Sequence, residues 1–246
     1  MSTQIIQKDG GPPESTGQGG VAPALLLIAG MSAVLALVVL PLWVPLLSSS
    51  LNEATPRGYW YLSRAAALVA YGMLWMSMVL GLLMTNKMAR VWPGGPTAFD
   101  LHEHTSLLGL GFALFHVLVL LGDHYINYSA GELLVPFGSA NYRPFWVGLG
   151  QIGIYLLAVL IVSFPLRRRI GARTWRALHF ISFAVFALAL GHGVFSGTDS
   201  LDWWARGMYL FTGGSVLFLT IYRVLARRTA PQKAGPAYRT TKLTRP

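Results

Sequence analysis

The chain has 246 residues, of which 54% are hydrophobic and 11% charged, whereas an ordinary soluble domain is roughly 25% charged; the composition is that of a membrane protein. The net charge of +10 follows the distribution of Lys and Arg around apolar segments, and no nucleic-acid partner is expected from it. With no cysteine, disulfides, thiolate-bound haem, cysteine-ligated iron–sulfur clusters and covalent haem attachment are excluded.

Residues 1–20 are rich in Gly, Pro, Ser and Gln, lack apolar periodicity and read as a disordered tail. The apolar run Val21 to Leu47 is too long for the core of a cleaved signal peptide and predicts the first transmembrane helix, since about 20 apolar residues span the hydrocarbon. A polar loop through Asn52, Glu53 and Arg57 leads to a second helix, Tyr59 to Met84. Lys87, Arg90 and the turn Trp92 to Pro96 precede a third, where Asp100 followed by Glu103 predicts a capping box, with the boundary complicated by Pro96. That helix runs out at Gly122. A loop of about two dozen residues, with Asp123, His124, Glu132, Pro136 and Arg143, separates it from the next membrane span. A fourth helix covers Phe145 to Leu166, and Arg167, Arg168, Arg169, Arg173 and Arg176 crowd the following turn. The fifth ends near Ser196, an acidic loop carries Asp199 and Asp202, and the sixth runs from Trp204 to Leu225. Residues 226–246 read as a basic, disordered tail.

The expected fold is therefore all-α, a six-helix transmembrane bundle over residues 21–225. With the N-terminus cytoplasmic, fifteen of the nineteen Lys and Arg fall on the cytoplasmic side, and Arg57, Arg64, Arg143 and Arg206 on the other. Both termini are then cytoplasmic.

Four histidines stand out. His102 and His116 lie on the third predicted helix, fourteen residues apart, and His179 and His192 on the fifth, thirteen apart. Ionisable side chains within membrane spans are costly and mark functional pathways. One such histidine has an ordinary reading as a core residue bonded to a carbonyl; two on each of two helices, at matching depths, do not. Imidazole ligates metals and is an axial ligand of haem iron. Matching by depth pairs His102 with His179 near the inner face and His116 with His192 towards the outer. At about 1.5 Å per residue the two pairs are roughly 20 Å apart, which leaves one macrocycle to each leaflet. At about 100° per residue, fourteen residues return to within roughly 40° of one face, but thirteen leave an offset of roughly 140°. A tilt, or a distortion near Gly191 and Gly193, is the expected remedy. Gly109, midway between His102 and His116, either clears space for the porphyrins or notches the helix for packing.

The stretches Leu101-His102 through Phe115-His116 and Trp175-Arg176-Ala177-Leu178-His179 through Gly191-His192-Gly193, with Arg64 near the outer start of the second helix, resemble the ferric reductase-like transmembrane domain family. That family includes the membrane halves of NADPH oxidases and ferric reductases and the haem-binding subunit of bacterial methionine sulfoxide reductase. The resemblance covers residues 57–225, and the equivalent oxidase helix shares the thirteen-residue spacing. It implies two b-type haems, His102 and His179 ligating the inner iron and His116 and His192 the outer. Oxidases continue into a flavin- and NADPH-binding domain, whereas this chain ends at Pro246 and no dinucleotide-binding fold is expected in it. Electrons are expected from a separate donor protein, from quinol, or from a loosely bound flavin.

Arg64 and Arg206 are candidates for the outer propionates, and Arg173 and Arg176 for the inner. For the loop arginines topology alone is a sufficient explanation; Arg64 sits inside an apolar stretch, where snorkelling is the alternative. His104 lies about 200° from His102 and should face away from any cofactor. His124 is a surface-loop residue or a contact for a metal or partner. The expected function is a di-haem electron carrier from a cytoplasmic or quinol donor to an extracytoplasmic acceptor. The alternatives are a haem-binding subunit of a periplasmic oxidoreductase complex, a histidine-lined metal transporter without haem, and a structural membrane subunit.

Overall fold

A computed structural model describes residues 31, 58–123, 126–140 and 142–228. All but Met31 of the first predicted span, both predicted tails (apart from residues 226–228) and His124 lie outside the described residues. The described residues form α1 (Gly58–Thr85), α2 (Gly95–Val119), α3 (Ala130–Leu134), α4 (Pro144–Ile170), α5 (Ala172–His179), α6 (Ile181–Ser196) and α7 (Trp203–Arg228), with no strand among them. A 3₁₀ turn, Leu120–Gly122, prolongs α2. Counting α5 and α6 as one segment, five are long and apolar enough to cross a membrane. Their outward faces are apolar: Leu210, Phe211, Leu217 and Phe218 on α7 are between 61% and 76% exposed. Water would not tolerate that face and lipid does, so the chain is a multi-pass membrane protein.

The buried faces meet in one core. Tyr71, Leu74, Met78 and Leu82 of α1 pack with Leu110 of α2, Leu157 and Leu160 of α4, Val185 and Phe186 of α6, and Val216 and Leu219 of α7. Helix α1 lies along α2, and α4 along α6. Between α1 and α2 the chain reverses through Lys87 (φ 62°) and Gly94 (φ 103°), the second a conformation that favours glycine.

Two local expectations are corrected. Helix α2 does not begin in a capping box at Asp100: Gly94 is its N-cap, Pro96 sits in its first turn, and no side chain caps it. Proline there presets φ and lacks the amide hydrogen that would go unbonded anyway, so the helix starts a turn earlier. The capping box of this chain lies on α3, where Ser129 and Glu132 bond each other's backbone amides. The fifth predicted helix is also interrupted, and not near its glycines. The break is at Phe180, directly after His179, where the Phe180 amide donates to the Ala177 carbonyl at 3.2 Å and the Phe183 amide to that of Phe180 at 3.2 Å. Three-residue bonds in place of four-residue ones tighten the turn and rotate α6 relative to α5. Gly191 and Gly193 lie inside regular α6.

Candidate cofactor-binding site

In space the four histidines form two pairs, and they are the pairs that depth predicts. The rings of His102 and His179 lie 6.1 Å apart, centre to centre, with planes at 73°. Those of His116 and His192 lie 6.3 Å apart at 68°. The tightened turn at Phe180 lies between His179 and His192 and reduces the azimuthal offset of two residues thirteen apart.

Each pair opens on its own cavity. One, of about 230 Å³, holds His116 and His192 at the bundle end covered by the loop before α4, the loop end. The other, of about 370 Å³, holds His102 and His179 at the end with the arginine-rich turn, the arginine end. Leu74, Leu157 and Val185 line both and form the wall between them.

The rings are held by backbone. A carbonyl can only accept, so Nδ1 carries the proton wherever a carbonyl faces it. His102 Nδ1 donates to the Ser77 carbonyl at 2.9 Å, His116 Nδ1 to that of Ser63 at 2.9 Å, and His192 Nδ1 to that of Trp146 at 2.9 Å. In these three rings Nε2 is therefore the nitrogen with a free lone pair, as in metal-bound histidines whose second nitrogen is hydrogen-bonded. No hydrogen bond to the His179 ring is found among the described residues; Trp175 stacks on it instead, at 5.0 Å and 25°.

Small residues make this fit possible. A Cβ on Gly150 of α4 would stand 2.6 Å from His192 Nδ1, so only glycine lets that ring lie against α4. Gly81 serves His102 more loosely, with 3.4 Å to the ring. Gly109 lines the loop-end cavity, but its missing Cβ would point at α1, 3.7 Å from the Ala70 carbonyl, so it is a packing notch. None of Ser63, Ser77, Gly81, Gly150 and Trp146 was legible from the histidine pattern alone. One signal was available: Ser63 and Ser77 are fourteen residues apart, as His102 and His116 are.

At the loop end Arg64 forms an ion pair with Asp199, and both line the cavity. Arg206 is exposed and outside both linings. At the arginine end Arg176 lines the cavity, Arg223 joins it unforeseen, and Arg173 is exposed and outside the lining. Each cavity also carries a buried donor that finds no partner among the described residues: Trp175 Nε1 at the arginine end and Ser196 Oγ at the loop end. His104 is exposed, bonded through Nδ1 to the Asp100 carbonyl at 2.7 Å, and lines neither cavity.

The loop before α4 is a built cover. Gln151, buried on α4, donates to the carbonyls of Glu132 at 2.7 Å and Leu133 at 2.9 Å and accepts from the Phe137 amide at 3.3 Å. This pins Ile126, Tyr128 and Leu133 into a small apolar cluster that lines the cavity. The Ser129 amide and hydroxyl bond the Glu132 carboxylate and hold it below its usual carboxylate range.

A family model described as "Domain of unknown function (DUF8596)" matches residues 59–199, a stretch that contains both histidine pairs and both serines. No curated protein and no solved structure matches the chain.

Proposed function

The chain belongs to the DUF8596 family, and we propose that it is a di-haem b-type cytochrome that carries electrons across a membrane. The observation that carries this reading is the spacing within the histidine pairs. An imidazole–metal bond of about 2.0 Å, plus about 1.1 Å from nitrogen to ring centre, sets two trans imidazoles roughly 6.2 Å apart. The pairs stand at 6.1 and 6.3 Å. A bare ion is served poorly by such sites. Structural zinc takes four protein ligands, and no group of three or more His, Cys, Asp or Glu converges among the described residues. Two opposed imidazoles, by contrast, are the whole protein contribution to a bis-histidine haem, whose ring supplies the other ligands. This favours haem over the transporter.

When bound, haem supplies reversible one-electron transfer; everything else falls to the protein. His102 and His179 would hold one iron, His116 and His192 the other. For His102, His116 and His192 the backbone carbonyls preset the Nδ1–H tautomer, so in these three no proton need move for Nε2 to ligate. Trp175 Nε1, Ser196 Oγ, Arg176 and Arg64 offer donors or charge to propionates at the two ends. Leu74, Leu157 and Val185 would separate the two haems by a thin apolar wall, across which the electron passes. With His102, His179, His116 and His192 holding the two irons, the haems would supply one-electron transfer to an outside acceptor, as the ferric reductase-like resemblance implies.

We further place six transmembrane helices in the chain, counting Val21 to Leu47, and both termini in the cytoplasm. The arginine end then faces the cytoplasm and takes electrons from a separate protein or quinol, and the loop end faces the acceptor.

Absorption and low-temperature EPR spectra of the purified chain test the proposal. Close to two non-covalent haems b per chain are expected, low-spin when reduced. Because the ring planes cross at 73° and 68°, the oxidised signals should be of the strongly anisotropic, large-g type that near-perpendicular imidazoles produce. A haem-free chain with stoichiometric zinc or iron would overturn the proposal in favour of the transporter.

A further inference from the structure

We infer that Ser63 and Ser77 are positioning residues that clasp the two α2 ligands and set the basicity of their rings; this rests on the haem reading. Both serines are buried, at 2% and 5% exposure. On antiparallel α1 and α2 the equal fourteen-residue spacings put both serine–histidine pairs in one register, Ser77 at His102 and Ser63 at His116. Each serine meets its histidine through two atoms. Ser63 Oγ lies 2.8 Å from His116 Nδ1, beside the carbonyl at 2.9 Å. Ser77 Oγ lies 3.0 Å from His102 Nδ1, beside its carbonyl at 2.9 Å.

Proton accounting then fixes every role. The carbonyls make Nδ1–H the donor, so each serine hydroxyl must turn a lone pair to it and send its own hydrogen elsewhere. Ser63 Oγ–H goes to the His116 carbonyl at 3.2 Å, closing a reciprocal pair. Ser77 Oγ–H goes to Ser106 Oγ at 2.7 Å, and Ser106 Oγ–H to the His102 carbonyl at 2.7 Å, closing a three-residue ring. The hydroxyls thus hold both the ring and the backbone of each ligand. No other donor assignment satisfies all of these contacts. Acceptance at Nδ1–H makes Nε2 more electron-rich, which favours ferric iron and retains it more tightly. Among the described residues the α6 ligand His192 has a carbonyl alone and His179 has neither, so this tuning lies on the α2 side.

The test uses the full chain, purified with its haems, and measures haem transfer to apomyoglobin together with a spectroscopic redox titration. Ser63→Ala should speed loss of the His116–His192 haem alone, and Ser77→Ala that of the His102–His179 haem alone. Each effect should be about tenfold, the lower end for lost outer hydrogen bonds, because the carbonyls remain. In each variant the midpoint potential of the same haem should rise while the other stays put. Alanine favours a helix, so folding should survive. Unchanged rates and potentials in a two-haem protein would overturn the clasp and leave the cytochrome reading standing, as would an equal loosening of both sites by either variant. A wild-type chain that carries no haem would overturn both.

Discussion

The two ends of the bundle solve one problem with different degrees of constraint. At the loop end both imidazoles are tied to carbonyls, one from α1 and one from α4, and Gln151 pins a cover across the cavity. At the arginine end, among the described residues, His102 alone is tied; His179 leans on Trp175 beside a helix break whose Phe180 is 59% exposed. The loop-end cavity is also the smaller, about 230 against 370 Å³. The lesson is that matched ligand spacing need not mean matched rigidity. The loop-end site is preorganised by three elements, and the arginine-end site keeps one adjustable histidine, as would suit the donor side of the proposed electron path.

The comparison breaks most readily at the ligands themselves. His116→Ala and His192→Ala should each empty the loop-end site, and His102→Ala and His179→Ala the arginine-end site, as read by haem stoichiometry and EPR. Within a pair the double variant should be little worse than either single one, because the two rings act as a unit. His104→Ala should change neither site. Failure of His102 and His192 together would destroy the pairing.

Glycines sharpen it next. Gly150→Ala drives a methyl group into the His192 ring, 2.6 Å from Nδ1, so haem affinity at the loop end should fall by about 10–100-fold. Gly81→Ala meets His102 at 3.4 Å and should cost the arginine end at most a few-fold in the same transfer assay. Equal losses from the two substitutions would remove the asymmetry.

The cover gives the smallest effect. Gln151→Leu strands two loop carbonyls and an amide, at a cost of about 1–3 kcal/mol for buried groups left unbonded. The haem count should hold, but the loop-end haem should be reduced faster by dithionite, with the other unchanged. No change in that rate would show that Gln151 does not govern access.

What could be read from residue order was whatever depends on distance along one helix. Apolar runs of spanning length marked the membrane segments, and the fixed rise per residue placed His102 level with His179 and His116 level with His192. The roles of Arg64 and Gly109 were only partly legible, since each has a bland alternative that turns on which neighbour it faces. Arg64 proves to be paired with Asp199, and Gly109 to face α1. The start of α2 was misplaced because Asp100 and Pro96 both signal a beginning, and only packing of the first turn arbitrates. Tertiary structure alone decided the turn at Phe180, the carbonyls that fix three tautomers, the glycine bed under His192 and the loop held by Gln151. Apart from the turn at Phe180, whose own bonds are local, each of these is a contact between segments well separated in the chain, formed where side-chain volume and unpaired backbone groups must be reconciled. A contact of that kind leaves no period in the sequence, because nothing about it repeats along a single helix.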